Sequence, residues 1–140
     1  MNQEEIKKII PHRNDMLLVE EAEVIDETTS RGKYTVKGTE FFLNGHFPGN
    51  PVVPGVILCE MMAQSSCVML ATKSHDCTPY FTKLDKVKFK NKVLPGDTLE
   101  SICKLVKARE PFYFIEAKGY VDGKLCVSGE FSFALMPNEK

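Results

Sequence analysis

The spacing of apolar residues changes twice along the chain, and each change marks a different kind of element. In residues 2–10, Ile6, Ile9 and Ile10 fall on one helical stripe. Asn2 is suited to cap this short helix, Glu4 and Glu5 to sit at its positive end, and Pro11 to stop it. Residues 17–26 and 32–38 then read as strands. In the second, Tyr34 and Val36 alternate with Lys33, Thr35 and Lys37, as a half-buried strand requires. From Pro54 the pattern changes. Val56 to Ala71 runs about sixteen residues without glycine or proline and is apolar almost all round. Such a stretch predicts a buried helix rather than a surface one. Glycine and proline at positions 48, 49, 51, 54 and 55 make the approach to it tightly turned.

Beyond residue 78 the pattern returns to strand, over 80–93 and 98–108, with Pro95-Gly96 as the turn between them. Residues 112–121 and 124–135 then form the clearest hairpin, because Asp122-Gly123 is a pair that a type I′ turn prefers. Strands, one long helix and then an antiparallel run imply an α+β domain. A curved antiparallel sheet wraps around one long buried helix, in place of the alternating units of a parallel sheet. A single sheet–helix layer leaves a sheet edge open, so self-association is expected. Residues 74–83 are expected to form a loop and are the place to look for a lid.

Bulk composition narrows the function classes. The 140 residues form a single domain, 1–140, with no internal repeat or linker, and a chain this long can bury a core without staples. A formal net charge of −1 removes any whole-protein case for nucleic acid or membrane binding. The cysteines at 59, 67, 77, 103 and 126 form no CxxC pair and no zinc-ligand spacing with histidine. They read as reduced apolar fillers in a cytoplasmic protein, and no metal site is expected. The acidic N-terminus is not a secretory signal, and no apolar run is long enough to span a membrane.

Chemistry concentrates between Gly45 and Glu60. The stretch Gly45 to Val56 holds three prolines, which fix φ, and three glycines, which permit sharp turns. Its titratable residue is His46, whose ordinary pKa of about 6.5 suits proton transfer near neutral pH. Glu60 sits between Ile57-Leu58-Cys59 and Met61-Met62. There, desolvation favours the protonated acid while the nearby helix N-terminus opposes it. In a helix this apolar, desolvation is expected to win. His46 is then a general base and Glu60 a general acid. The free N–H groups of Gly55 and Val56 are candidates for an oxyanion site. A lone loop histidine is more often structural, and a lone helix glutamate more often meets solvent or a salt bridge. The pair, with its rigid brace and apolar setting, favours catalysis.

These residues resemble a known family. His46-Phe47-Pro48, Pro51 and Pro54-Gly55-Val56, followed by Glu60 and Met62-Ala63-Gln64, are similar to the FabZ-type 3-hydroxyacyl-[acyl-carrier-protein] dehydratases of bacterial type II fatty acid synthesis. The likeness extends to Ile10-Pro11-His12-Arg13 with Leu17-Leu18-Val19, to Lys88-Phe89-Lys90 with Val93 and Pro95-Gly96-Asp97, and to Val121-Asp122-Gly123-Lys124. It implies a hotdog fold, homodimers with a continuous sheet and shared active sites, and assembly as a trimer of dimers. It implies reversible dehydration of a (3R)-hydroxyacyl thioester on acyl carrier protein to the trans-2-enoyl thioester, without cofactor or metal. His46 of one subunit would take the C2 proton, Glu60 of the other would protonate the departing hydroxyl, and Gly55 N–H would hold the carbonyl. Gln64, one turn beyond Glu60, either orients it or a water, or only packs. Two departures stand out. Asn14-Asp15-Met16 replaces the usual Tyr-Pro-Phe, and Glu60 separates the chain from the sister dehydratase/isomerases, where aspartate is typical.

Lys86, Lys88, Lys90 and Lys92 alternate along an expected strand, with Val87, Phe89 and Val93 on its other face. They form either a solvated edge guard or a landing patch for acidic acyl carrier protein. Arg109 is a further docking candidate. Met61, Met62 and Met69 either line an acyl tunnel or pack the core. Two rival functions share the fold: an acyl thioesterase, which would release free thiol, and a non-catalytic acyl-thioester binding module.

Overall fold

The computed structural model describes residues 1–73 and 76–138. Helix α1 covers Gln3–Ile6, with the side chain of Asn2 and that of Glu5 each accepting the other's backbone N–H in a capping box. It is shorter than the apolar stripe predicts. The Arg13 guanidinium takes the carbonyls of Lys7, Ile10 and His12 and so closes the turn where further helix would run. Ile6 and Ile10 stay buried.

Six strands follow: β1 (Glu21–Asp26), β2 (Thr29–Thr35), β3 (Cys77–Phe89), β4 (Thr98–Arg109), β5 (Phe112–Val121) and β6 (Lys124–Pro137). They form one antiparallel sheet in the order β1-β2-β4-β5-β6-β3. Helix α2 (Gly55–Cys67) lies against β2, β4, β5 and β6 and runs on as a 3-10 turn through Leu70. The α+β architecture of a sheet wrapped on one buried helix is therefore the one the pattern predicts. Asp122 and Gly123 both have positive φ, +49° and +78°, as a type I′ turn demands.

Several boundaries differ from expectation; the strand expected at 32–38 covers Thr29–Thr35. Leu17, Leu18 and Val19 are buried but precede β1, because Leu18 N–H is taken by the side chain of Gln64 on α2 instead of by a strand. The 74–83 segment is not a loop throughout. From Cys77 it is strand β3, while residues 74 and 75 lie outside the described residues. At its other end β3 stops at Phe89, since Lys90 and Asn91 both donate to Cys126 O and Val53 N–H takes Val93 O. Strand β3 bonds to β6 on one side only, and a proline at position 79 is tolerable on such an edge.

Helix and sheet approach closely at Gly32 of β2. A Cβ there would fall 2.1 Å from Ser65 Oγ and 2.6 Å from its Cβ. Ser30, two residues away on the same strand face, donates to Ser65 O at 2.9 Å. The missing side chain thus lets the strand reach a helix carbonyl. Thiols fill the same layer. Burial, with the nearby Glu60 charge adding to it, pushes Cys67 up to about 12, and Cys103 Sγ donates to Met62 O at 3.3 Å. Among the described residues no helix is long and apolar enough to cross a membrane. Replacing Gly32 with alanine is expected to lower stability by about 1–3 kcal/mol through overpacking. A urea titration checks this, and an unchanged midpoint would remove the close approach as a determinant of the layer.

Candidate active site

The Gly45–Val56 loop is held by its own backbone. Phe47 N–H donates to Asn50 O at 3.1 Å and Asn50 N–H returns to Phe47 O at 2.9 Å, while Val52 N–H donates to His46 O at 2.9 Å. His46 Nδ1 lies 3.0 Å from Val52 O. A carbonyl only accepts, so Nδ1 carries the hydrogen and Nε2 keeps its lone pair. The ring also stacks on Phe47 with centroids 4.2 Å apart. Loop and ring together prepare a half-buried imidazole as a proton acceptor at one defined atom.

Glu60 is the sole charged residue of α2. Its Oε2 accepts from Gln64 Nε2 at 2.8 Å and lies 3.3 Å from His12 Nε2. Gln64 is fully buried. The same amide nitrogen donates to Met16 O at 2.8 Å, and its Oε1 accepts Leu18 N–H at 2.8 Å. Gln64 thus bonds both the Glu60 carboxyl and the N-terminal segment. Oε1 of Glu60 has no protein partner among the described residues. Beside it opens a cleft of about 30 Å³, whose walls include His12, Gln64, Cys67, Phe81 and Phe133. That is room for about one or two water molecules, not for an acyl chain.

At the start of α2, Pro54 O accepts from Ile57 N–H and Leu58 N–H. The N–H groups of Gly55 and Val56 have no acceptor among the described residues, as an oxyanion site needs. A Cβ on Gly55 would meet the Phe89 ring at 2.6 Å, so any larger residue there would have to push that ring aside, a contact the sequence does not display. Phe89, expected on an inner strand face, is instead 55% exposed and lies over this helix end.

His46 and Glu60 are not brought together. Among the described residues they share no hydrogen bond, ion pair or cleft wall. The lysine row does not line one strand face either. A bulge between Asp85 and Lys88 breaks the period, with Lys86 at φ +52° and 3.6 Å from Glu130, and β3 ends before Lys90. Lys90 and Lys92 instead share a groove with Lys124. Arg109 is exposed at the end of β4. Met61 and Met62 are core residues, each 1% exposed. Among the described residues no group of three histidine, cysteine or acidic side chains is placed to hold a metal ion. His12 is the site residue that the sequence does not single out. It lies within the Ile10–Arg13 motif, but nothing local to that motif brings its ring to Glu60.

A family model described as the FabA-like domain matches residues 10–130. The chain is 44% identical over 137 residues to the 3-hydroxyacyl-[acyl-carrier-protein] dehydratase FabZ of Clostridium perfringens, covering 96% of this chain and 99% of the relative. It is 42% identical over 134 residues to the enzyme of the same name from Streptococcus pneumoniae, with 94% and 96% coverage. Among solved structures, the dehydratase heterocomplex ApeI:P from Xenorhabdus doucetiae superposes with a TM-score of 0.81 at 22% identity, over 96% of this chain and 91% of that one. The PaaI protein of E. coli, from the phenylacetic acid degradation operon, does so at 0.63 and 14%, over 81% of each chain. These two likenesses show the hotdog fold.

Replacing Gln64 with leucine leaves Leu18 N–H buried without an acceptor and frees the Glu60 carboxyl. The expected outcome is a loss of about 1–3 kcal/mol in chemical denaturation together with a fall in kcat. An effect on neither would show that the amide does not hold the site.

Proposed function

The chain belongs to the FabA-like family as a FabZ-type 3-hydroxyacyl-[acyl-carrier-protein] dehydratase, and on that premise we propose that His46 and Glu60 divide the reaction as base and acid. The observation that carries this reading is the separate preparation of the two groups. One imidazole nitrogen is fixed as an acceptor, and one carboxyl has a single oxygen held and the other free. His46 Nε2 takes the C2 proton of the (3R)-hydroxyacyl thioester. The C–H electron pair becomes the C2–C3 double bond as the C3–O bond breaks, and Glu60 gives its proton to the departing hydroxyl, which leaves as water. Gly55 N–H, with Val56 N–H beside it, receives the charge that builds on the thioester carbonyl. A proton passing from His46 back to Glu60 restores the site.

The site is read as shared between two protomers, with His46 of one facing Glu60 of its partner. The unpaired edge of β3 supports this. It is 13 residues long, pairs on one side only, and exposes Tyr80, Phe81 and Leu84, a poor edge to leave in solvent. Two such edges side by side would extend the sheet, and Phe81 already walls the cleft at Glu60. Further assembly into a trimer of dimers belongs to the same reading. The substrate arrives as a thioester on acyl carrier protein, and the groove that holds Lys90, Lys92 and Lys124 beside Asp97 and Asp122 keeps an excess of positive charge for an acidic carrier. The unpaired thiols fit a cytoplasmic setting.

Hydration of a trans-2-enoyl thioester tests the chemistry. His46→Ala and Glu60→Gln are each expected to lose ~10²–10⁴-fold in turnover. Wild-type turnover in both would sink the assignment, and release of free thiol by the wild type would mark a thioesterase. Mixing the two variants under conditions of subunit exchange is expected to restore activity, since some mixed dimers regain one intact site. Leu84→Lys, on the edge of β3, is expected to give monomers in size-exclusion chromatography with light scattering and to abolish activity. Active monomers would refute the shared site.

A further inference from the structure

We propose that His12 is a positioning residue that, with Gln64, decides which oxygen of Glu60 meets the substrate. The inference rests on the reading of Glu60 as the acid. Two nitrogens converge on Oε2, Gln64 Nε2 at 2.8 Å and His12 Nε2 at 3.3 Å, whereas Oε1 has no protein partner among the described residues. The far side of the His12 ring is closed. Nδ1 is sealed from solvent and has no hydrogen-bond partner. A hydrogen on Nδ1 would be a buried donor without an acceptor, which proteins avoid more strictly than a bare lone pair. The hydrogen therefore sits on Nε2, the ring nitrogen that faces Oε2 at 3.3 Å.

Two consequences follow for the carboxyl. With the Gln64 amide bonded to Oε2 and His12 Nε2 close against it, rotation about the carboxyl bond is opposed, and the acidic proton belongs on Oε1, the oxygen open to the departing hydroxyl. A sealed Nδ1 also leaves no route through the ring, so His12 holds Glu60 without relaying protons to it. Its own position is built in. Arg13 donates to His12 O at 2.7 Å and to Ile10 O and Lys7 O at 2.8 Å each, and Pro11 precedes it. The Ile10–Arg13 segment is thus a bracket that delivers an imidazole to a helix residue far along the chain.

Steady-state hydration of a trans-2-enoyl thioester by three His12 variants and Glu60→Gln tests the idea. A glutamine at position 12 can place its amide N–H where imidazole Nε2 stands, whereas an asparagine amide reaches only the Nδ1 position. His12→Ala and His12→Asn are expected to lose about 10- to 100-fold in kcat with KM little changed, and His12→Gln to recover most of it. In the Glu60→Gln background, His12→Ala is expected to cost nothing more. Thermal melting of each variant separates these effects from unfolding. If alanine at position 12 does not fold, the contrast between asparagine and glutamine decides. Equal activity in those two variants, or wild-type kcat in His12→Ala, overturns the inference while leaving Glu60 as the acid. Full activity of Glu60→Gln would overturn the acid reading itself.

Discussion

Beyond its first turn, where Val56 is exposed, helix α2 is covered on almost every side, and most of the structure answers that constraint. The sheet curves to cover one side, approaching closely enough at Gly32 for Ser30 to reach the carbonyl of Ser65. The N-terminal segment closes another side through Leu17, Leu18 and Val19, and the buried amide of Gln64 ties it there with two hydrogen bonds, to Met16 O and from Leu18 N–H. Glu60 is the one place where α2 carries a charge at all, and its carboxylate is held by Gln64 with His12 3.3 Å away. The packing that stabilises the fold therefore also fixes the Glu60 carboxyl in place.

Much of this is legible in the amino-acid pattern. The apolar stretch after Pro54, the alternation around Tyr34 and the Asp122-Gly123 pair each specify their element by a local rule, and each element forms. His46 and Glu60 stand out for related reasons, one braced by prolines and the other alone among apolar neighbours. What escapes the pattern is decided by contacts distant in sequence. Leu17–Val19 look like strand but bond to a helix side chain, and Lys86 to Lys92 look periodic until a bulge and a competing carbonyl at Cys126 end the strand. The ring of His12 and the ring of Phe89 are placed by tertiary packing, so no spacing rule announces them.

The division of the site also follows from the order of elements. The loop that carries His46 leads directly into α2, and Glu60 points from the helix toward the N-terminal segment and the cleft walled by Phe81. One chain thus prepares two unlike surfaces, each with its reactive atom fixed by neighbours of its own. In the proposed dimer the hydrogen bonds that set His46 and those that set Glu60 belong to separate protomers, so neither set has to change when the halves meet. Precision at the shared site then depends on how rigidly β3 and its neighbours fix the relative placement of two chains.

The cleft beside Glu60 has one more implication. A space of about 30 Å³ is matched to a molecule the size of water. In the proposed reaction one water is released when the double bond forms and one is consumed when it is lost. The same carboxyl oxygen gives a proton in one direction and takes it back in the other, as microscopic reversibility requires. Nothing in such an arrangement favours either sense of the reaction. Net direction is then a property of the surrounding metabolism, set by how fast the hydroxyacyl thioester is supplied and the enoyl thioester drained.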